Sequence, residues 1–249
     1  RLSSRLGQMV ISLAQSPEQS VPAAFPDKHQ QKAAYRFLNH EKISLQALLH
    51  PHVQETVGRA NIAGRVYVAH DSTEFQFSGH PREGLGRLRK KGQGFYCHAS
   101  LCLAADGSKD PLGLLGMEPW FRPPTKKGKR SFWRTQKDST NEGKRWLRGV
   151  LNAEATLSTK SLALHLADRE ADQFPLLATL CQKDIRFIIR LKHDRKLEPD
   201  GGEGSQEQKR LLATLKDAKV LSQREVSLSF RNHSPFPWAA KIHPARSKR

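Results

Sequence analysis

The chain has 249 residues, with 42 Lys and Arg against 24 Asp and Glu, a formal net charge of +18 and a pI near 10.2. Hydrophobic residues make up 37 %, enough for the core of one large domain or two small ones, under a polar surface implied by a mean hydropathy of −0.64. No apolar run approaches the roughly 20 residues that span a bilayer, and no basic stretch leads into a short apolar one as in a signal peptide. The expectation is a cytoplasmic protein without a membrane partner.

Residues 1 to about 60 read as helical. Leu2, Leu6, Met9, Val10 and Leu13 share one face at helical spacing. Pro17 to Pro26 breaks the pattern. Asp27 is a good N-cap for a second helix carrying Ala33, Ala34, Phe37 and Leu38 inward. Ser44 caps a third, with Leu45, Leu48, Leu49 and Val53 buried and a kink expected at Pro51. Lys28, Lys32 and Arg36 fall on the polar side of the second helix.

From about residue 64 the period changes to that of strands. Arg65 to His70 forms the first and Phe95 to Ala104 the second. Ala105-Asp106-Gly107 is a hairpin signal leading to a third strand near Leu112 to Met117. A helix over 141–157, a strand over 161–167, a helix from Asp172 to Gln182 and a strand from Ile185 to Leu191 follow, with Pro175 tolerated in the helix's first turn. Pro199 to Gln208 reads as a loop, Leu211 to Leu215 as a short helix or strand, and Glu225 to Arg231 as a strand. This is a mixed α/β pattern.

Three cysteines cannot build a disulfide framework. Cys97 and Cys102, five apart in one strand, point to opposite faces, and with Cys181 they read as buried, reduced thiols. The positive charge gathers in loops: Arg87, Arg89, Lys90 and Lys91; Lys126, Lys127, Lys129 and Arg130; Lys192 to Lys196; and the terminal Arg246 to Arg249. A membrane-surface protein would carry it on an amphipathic helix. Loop cations that neutralise phosphates and release counterions suit a nucleic acid.

Two aspartates close apolar, β-prone runs. Asp71 ends Arg65-Val-Tyr-Val-Ala-His-Asp71 and Asp168 ends Leu162-Ala-Leu-His-Leu-Ala-Asp168. Carboxylates at strand ends can hold divalent cations for phosphoryl chemistry, and hard Mg²⁺ prefers their oxygens. The turn-former or helix-cap reading of each stays open on spacing alone. Asp172 reads as a helix cap, Glu170 as a support behind the metal-binding carboxylates or as solvated, and His70, on the face opposite Asp71, as packed. The stretch Trp120-Phe-Arg-Pro-Pro124 through Trp133-Arg134 offers aromatic faces to unpaired bases or anchors a loop. Gly84-Leu-Gly86 lacks the third glycine of a dinucleotide fingerprint.

At these residues the chain resembles the DDE-type transposases of bacterial insertion sequences, in particular the Tn-five-like group. Ala33-Ala-Tyr-Arg-Phe-Leu38 is similar to the family's N-terminal DNA-binding region, and His70-Asp-Ser-Thr73 to the strand bearing its first catalytic aspartate. Gly113-Leu-Leu-Gly116 with Trp120-Phe-Arg-Pro123 resembles its third-strand region. Ala167-Asp-Arg-Glu-Ala-Asp172 resembles its second catalytic motif, followed by Arg186-Phe-Ile-Ile-Arg190 and Lys192-His193.

The resemblance implies a helical N-terminal DNA-binding domain (1–60), an incomplete RNase H-like mixed-sheet core (61–196) and the start of a β-rich insertion (197–249). It makes Asp71 and Asp168 catalytic and metal-binding, with two Mg²⁺ ions that Mn²⁺ can replace. It implies Mg²⁺-dependent hydrolysis and strand transfer at transposon ends, on double-stranded end and target DNA, by a homodimer in the bacterial cytoplasm. The family's third carboxylate lies in a Tyr-x-x-Arg-x-x-x-Glu-x-x-x-x-x-x-Lys motif, and no tyrosine follows Tyr96 here. The expectation is a fragment or truncated reading frame, inactive alone. The alternatives are a non-catalytic DNA-binding remnant that competes with a full-length transposase, and a basic RNA-binding protein.

Overall fold

The computed structural model describes residues 2–25, 27–89, 92–122, 142–157, 161–197, 210–216 and 219. It begins with three helices: α1 (Leu2–Gln15), α2 (Lys28–Leu38) and α3 (Leu45–Ala63). Both expected caps form. Asp27 accepts from the Gln30 amide at 2.8 Å and Ser44 from the Ala47 amide at 3.1 Å, each satisfying a donor that the helix start leaves open. Met9, Phe25, Ala34 and Phe37 pack together with Leu2, Leu6, Ile43 and Leu48. Val10 and Leu38 are about half exposed, because each lies one position round its helix from that stripe. Leu45 is also exposed, and α3 continues through Pro51 to bury Thr56 and Ala60 instead.

The rest of the first unit is a mixed sheet with helices between its strands. β1 (Arg65–Phe77), β2 (Gly86–Arg87), β3 (Gln93–Ala104) and β4 (Pro111–Trp120) precede α4 (Lys144–Thr156). β5 (Leu162–Ala167), a 3-10 turn (Arg169–Ala171), α5 (Phe174–Gln182) and β6 (Phe187–Ile189) follow. β1 lies between β3, antiparallel, and β5, parallel; β6 continues the parallel edge beyond β5. β2 and β4 both pair antiparallel with the outer edge of β3. The expected α/β pattern is thus a mixed α/β fold.

One face of the sheet carries the core. Val66 and Val68 of β1 pack with Cys102, Leu115, Ala60 of α3 and Ala153 of α4. Trp146 and Val150 of α4 meet Leu176 and Leu180 of α5 above Ala167, Phe187 and Ile189. Gly113, at φ +134°, lets α3 approach β4, since a Cβ there would come within 3.0 Å of His52 Nε2. Along β1 the alternate residues, Tyr67, Ala69, Asp71, Thr73, Phe75 and Phe77, face the other way, and none of them is fully buried.

Further expectations change. β1 does not stop at His70 but runs on to Phe77, every residue from Asp71 paired with β3. The apolar run ends there because burial ends, not because the strand does. β6 is shorter than Ile185 to Leu191. Cys97 and Cys102 are buried, but Cys181 is exposed on α5.

Residues 191–249 form a second unit. There Lys196 bridges to Arg210, α6 (Leu211–Lys216) follows as a helix, and the Leu212 amide donates to Asp194 at 2.9 Å. The segments Pro199 to Gln208 and Glu225 to Arg231 lie outside the described residues. No helix among the described residues is long and apolar enough to cross a membrane.

Candidate functional site

β1 and β5 run parallel in unbroken register from Arg65 opposite Leu162 to His70 opposite Ala167. The residues that follow that last pair are Asp71, still on β1, and Asp168, the N-cap of the 3-10 turn. Adjacent strands are about 4.8 Å apart, so a sequence separation of 97 collapses to neighbouring strand positions. β5 ends at this point while β1 continues against β3 alone, which opens the carboxylates to solvent; both residues are exposed. Asp71 Oδ1 accepts from the Ser72 amide at 2.7 Å. Asp168 Oδ1 accepts from the Glu170 amide at 2.8 Å and caps the 3-10 turn. The capping contact and the outward carboxylate coexist in one side chain, because the cap uses a single oxygen.

The neighbouring acids do other things. Glu170 pairs with Arg89 at 2.9 Å, a hydrogen bond that raises the pKa of the guanidinium. Asp172 is buried, and Gln173 rather than Asp172 stands at the N-cap of α5. The two carboxylates supply hard oxygen donors of the kind Mg²⁺ takes. Among the described residues, no group of three or more His, Cys, Asp or Glu is gathered tightly enough to hold an ion. The donor set therefore fits such an ion in part.

Beneath Asp71, on the opposite face, lies a buried row of histidines that spacing did not reveal. His70 Nε2 and His165 Nδ1 are 2.8 Å apart, His165 Nε2 is 2.7 Å from Glu154 Oε1, and Ser100 Oγ is 3.0 Å from His70 Nδ1. Ser100 donating to His70, His70 to His165 and His165 to Glu154 satisfies every ring nitrogen in that chain. His98 stacks on His70 at 5.9 Å between ring centres and bonds Ser72 Oγ at 3.0 Å. Burial lowers the pKa of His70 to about 3 and of His98 to about 4, and lowers that of His165. His70 is a packed residue, as its face implied. Gly149 of α4 makes room for the row, because a Cβ there would lie 2.6 Å from His98 Nε2.

The aromatic-basic stretch divides. Trp120 stacks on Tyr96, with the buried Arg145 guanidinium 4.1 Å above its ring. Arg122 chelates Glu142 and lies over Tyr96. Phe121 is about half exposed. Trp133 and Arg134 lie outside the described residues.

Among the cationic residues, Lys28, Lys32 and Arg36 lie on the exposed side of α2 with Gln31, Tyr35 and Asn39, around a shallow recess of about 500 Å³. Lys32 and Arg36 also border a groove of about 590 Å³ with Arg5, Gln8, His29 and His40. Arg87 is exposed on β2, and Arg89 is engaged by Glu170. Lys90, Lys91, Lys126, Lys127, Lys129 and Arg130 lie outside the described residues.

Residues 1–43, which include α1 and α2, match the family described as "Transposase DNA-binding". The chain thus joins a segment of transposase DNA-binding type to a mixed-sheet α/β domain. Among solved structures it is similar to the piggyBac transposase synaptic complex with hairpin DNA, at 12 % identity and a TM-score of 0.34 over 85 % of this chain. It is also similar to the Mos1 strand transfer complex, at 13 % identity and a TM-score of 0.25 over 75 % of this chain. It spans 40 % of the first of those chains and 57 % of the second.

Proposed function

We propose that this protein is a transposase of the DDE class. In this reading α1 to α3 bind transposon-end DNA, and the sheet is an RNase H-like core in which Asp71 and Asp168 are the first two catalytic carboxylates. The observation that carries the proposal is the parallel β1–β5 register, whose last pair, His70 opposite Ala167, lies one residue before each aspartate. The transposase-type match over residues 1–43 supports the DNA-binding half.

Asp71 and Asp168 would hold Mg²⁺, which lowers the pKa of an attacking water or 3′-hydroxyl and stabilises the leaving oxygen. The chain's own contribution is placement. Pairing of β1 with β3 holds the backbone of Asp71, and the Glu170 amide holds the carboxylate of Asp168. Lys28, Lys32 and Arg36 neutralise phosphates and set the register of the duplex. The active form is a cytoplasmic homodimer on bacterial transposon ends and target DNA. The family's Tyr/Arg/Glu/Lys motif, which carries the third carboxylate, does not occur in this sequence, so strand cleavage by this chain alone is not expected.

Mn²⁺ binding followed by paramagnetic relaxation tests the metal half. Weak binding is expected, lost in Asp71→Ala and in Asp168→Ala, with duplex affinity within about twofold of the parent. Unchanged Mn²⁺ binding in both variants would sink the catalytic assignment. Mg²⁺-dependent nicking of transposon-end DNA by the chain alone would overturn the incompleteness. A second reading, a DNA-binding competitor of an intact transposase, draws on the two-carboxylate donor set. It predicts end-specific binding with no metal binding in the parent chain.

A further inference from the structure

Past Asp71 the continuing half of β1 carries an aromatic patch that the phosphoryl chemistry does not use. Phe75 lies opposite Phe95 on β3, with ring centres 4.8 Å apart and nearly parallel. Phe77 stacks on Phe95 at 6.0 Å, and Phe121 tilts against it at 5.7 Å. Asp71, Phe75 and Phe77 are alternate residues of an unbroken strand, so the rings share the face of the aspartates. Phe75 lies four residue steps along the strand from Asp71, about 13 Å at 3.3 Å per residue. That is about four base steps of a DNA strand.

The patch is open and its rim is cationic. Phe75 is 40 % and Phe121 51 % exposed. The Arg82 guanidinium lies 5.8 Å from the Phe77 ring centre. Exposed Arg87 is in register with Gln93, which in turn faces Phe77. Aromatic faces ringed by cations complement a polyanion that carries flat apolar bases, and a partly apolar protein surface offers no such charge match.

We propose that Phe75, Phe77, Phe95 and Phe121 form a stacking platform for unpaired bases of a DNA strand passing the aspartate pair. Stacking on an aromatic side chain is tolerant of sequence because every base has a π-face. The platform would hold single-stranded or frayed DNA beside the scissile region, with Arg82 and Arg87 on the backbone. This inference rests on the DNA reading of the preceding section.

The test compares a blunt duplex with the same duplex bearing a four-nucleotide tail that contains 2-aminopurine. The parent chain should bind the tailed duplex about 5- to 100-fold more tightly, the range expected for one or two stacked bases, with quenched 2-aminopurine fluorescence. Phe121→Ala and Phe75→Leu should abolish that preference and restore fluorescence while leaving blunt-duplex binding unchanged. Leucine keeps the apolar bulk and removes only the ring, and circular dichroism checks the fold. Should Phe75→Leu not fold, Phe121→Ala and the quenching in the parent decide. Equal affinity for both duplexes, or a preference that survives the ring-removing variants, overturns the platform and leaves the DNA reading standing. Self-association of the parent that is lost in Phe121→Ala, without any tail effect, also overturns it by showing a protein interface. No binding of either duplex overturns both.

Discussion

His70 sits directly under the candidate site, and its chemistry is that of a neutral ring. It is 3 % exposed and flanked by His165 and His98; Glu154, Glu118, Arg145 and Arg148 are the charged groups around the row. Because folding depresses these pKa values below the ordinary 6.5, the unfolded chain takes up protons first as pH falls. The stability contributed by the row is complete above pH 6.5 and drains away as pH drops toward 3 to 4. Between pH 7 and pH 5 the loss is roughly 2 kcal/mol for each histidine held neutral. Urea midpoints should fall over that range, and the slope should flatten in His70→Asn or His98→Asn; a midpoint flat from pH 7 to 5 contradicts the buried-neutral state. The alternation of β1 indicated that His70 turns away from Asp71. It could not indicate that His165, 95 residues later, would hydrogen-bond to it, because that contact depends on which strands pair.

At the scale of elements, the helix starts were legible because a cap is local: Asp27 and Ser44 bond amides three residues on. Which helix faces turn inward was less legible. Val10, Leu38 and Leu45 are as apolar as their buried neighbours and differ only in angle to a partner the chain itself does not reveal. α2 presents Lys28, Lys32 and Arg36 one turn apart, opposite the buried Ala34 and Phe37. If these three contact phosphates, replacing them with Gln should reduce the slope of log K against log salt by about 3 for duplex DNA. Salt titrations monitored by fluorescence anisotropy measure it, and an unchanged slope removes α2 from the interface. The sequence pattern ends β1 at His70 because its inward apolar residues stop there. Backbone pairing with β3 carries it to Phe77, and pairing leaves no trace in hydropathy once both faces are open.

For the whole molecule, the arrangement places helices α3, α4 and α5 on one face of the sheet and leaves the aspartates and phenylalanines on the other. The chain divides after Arg190 into two units, and the sheet, its helices and the aspartate pair all belong to the first. A protein ending at Arg190 should therefore keep a cooperative thermal transition and the blunt-duplex affinity of the longer chain. Loss of cooperativity on that truncation, read by circular dichroism, would mean that the second unit completes the core.

The amino-acid order alone determined the strand and helix succession, the caps, the polyanion preference of a +18 chain and the two aspartates worth attention. These follow from period, local hydrogen bonding and net charge, which act over a few residues or over the whole composition. Only the tertiary structure decided that β5 lies parallel to β1 in a register that ends one residue before Asp71 and Asp168. It also decided which face the histidines and the phenylalanines occupy, because strand order is chosen by the packing of all the layers at once.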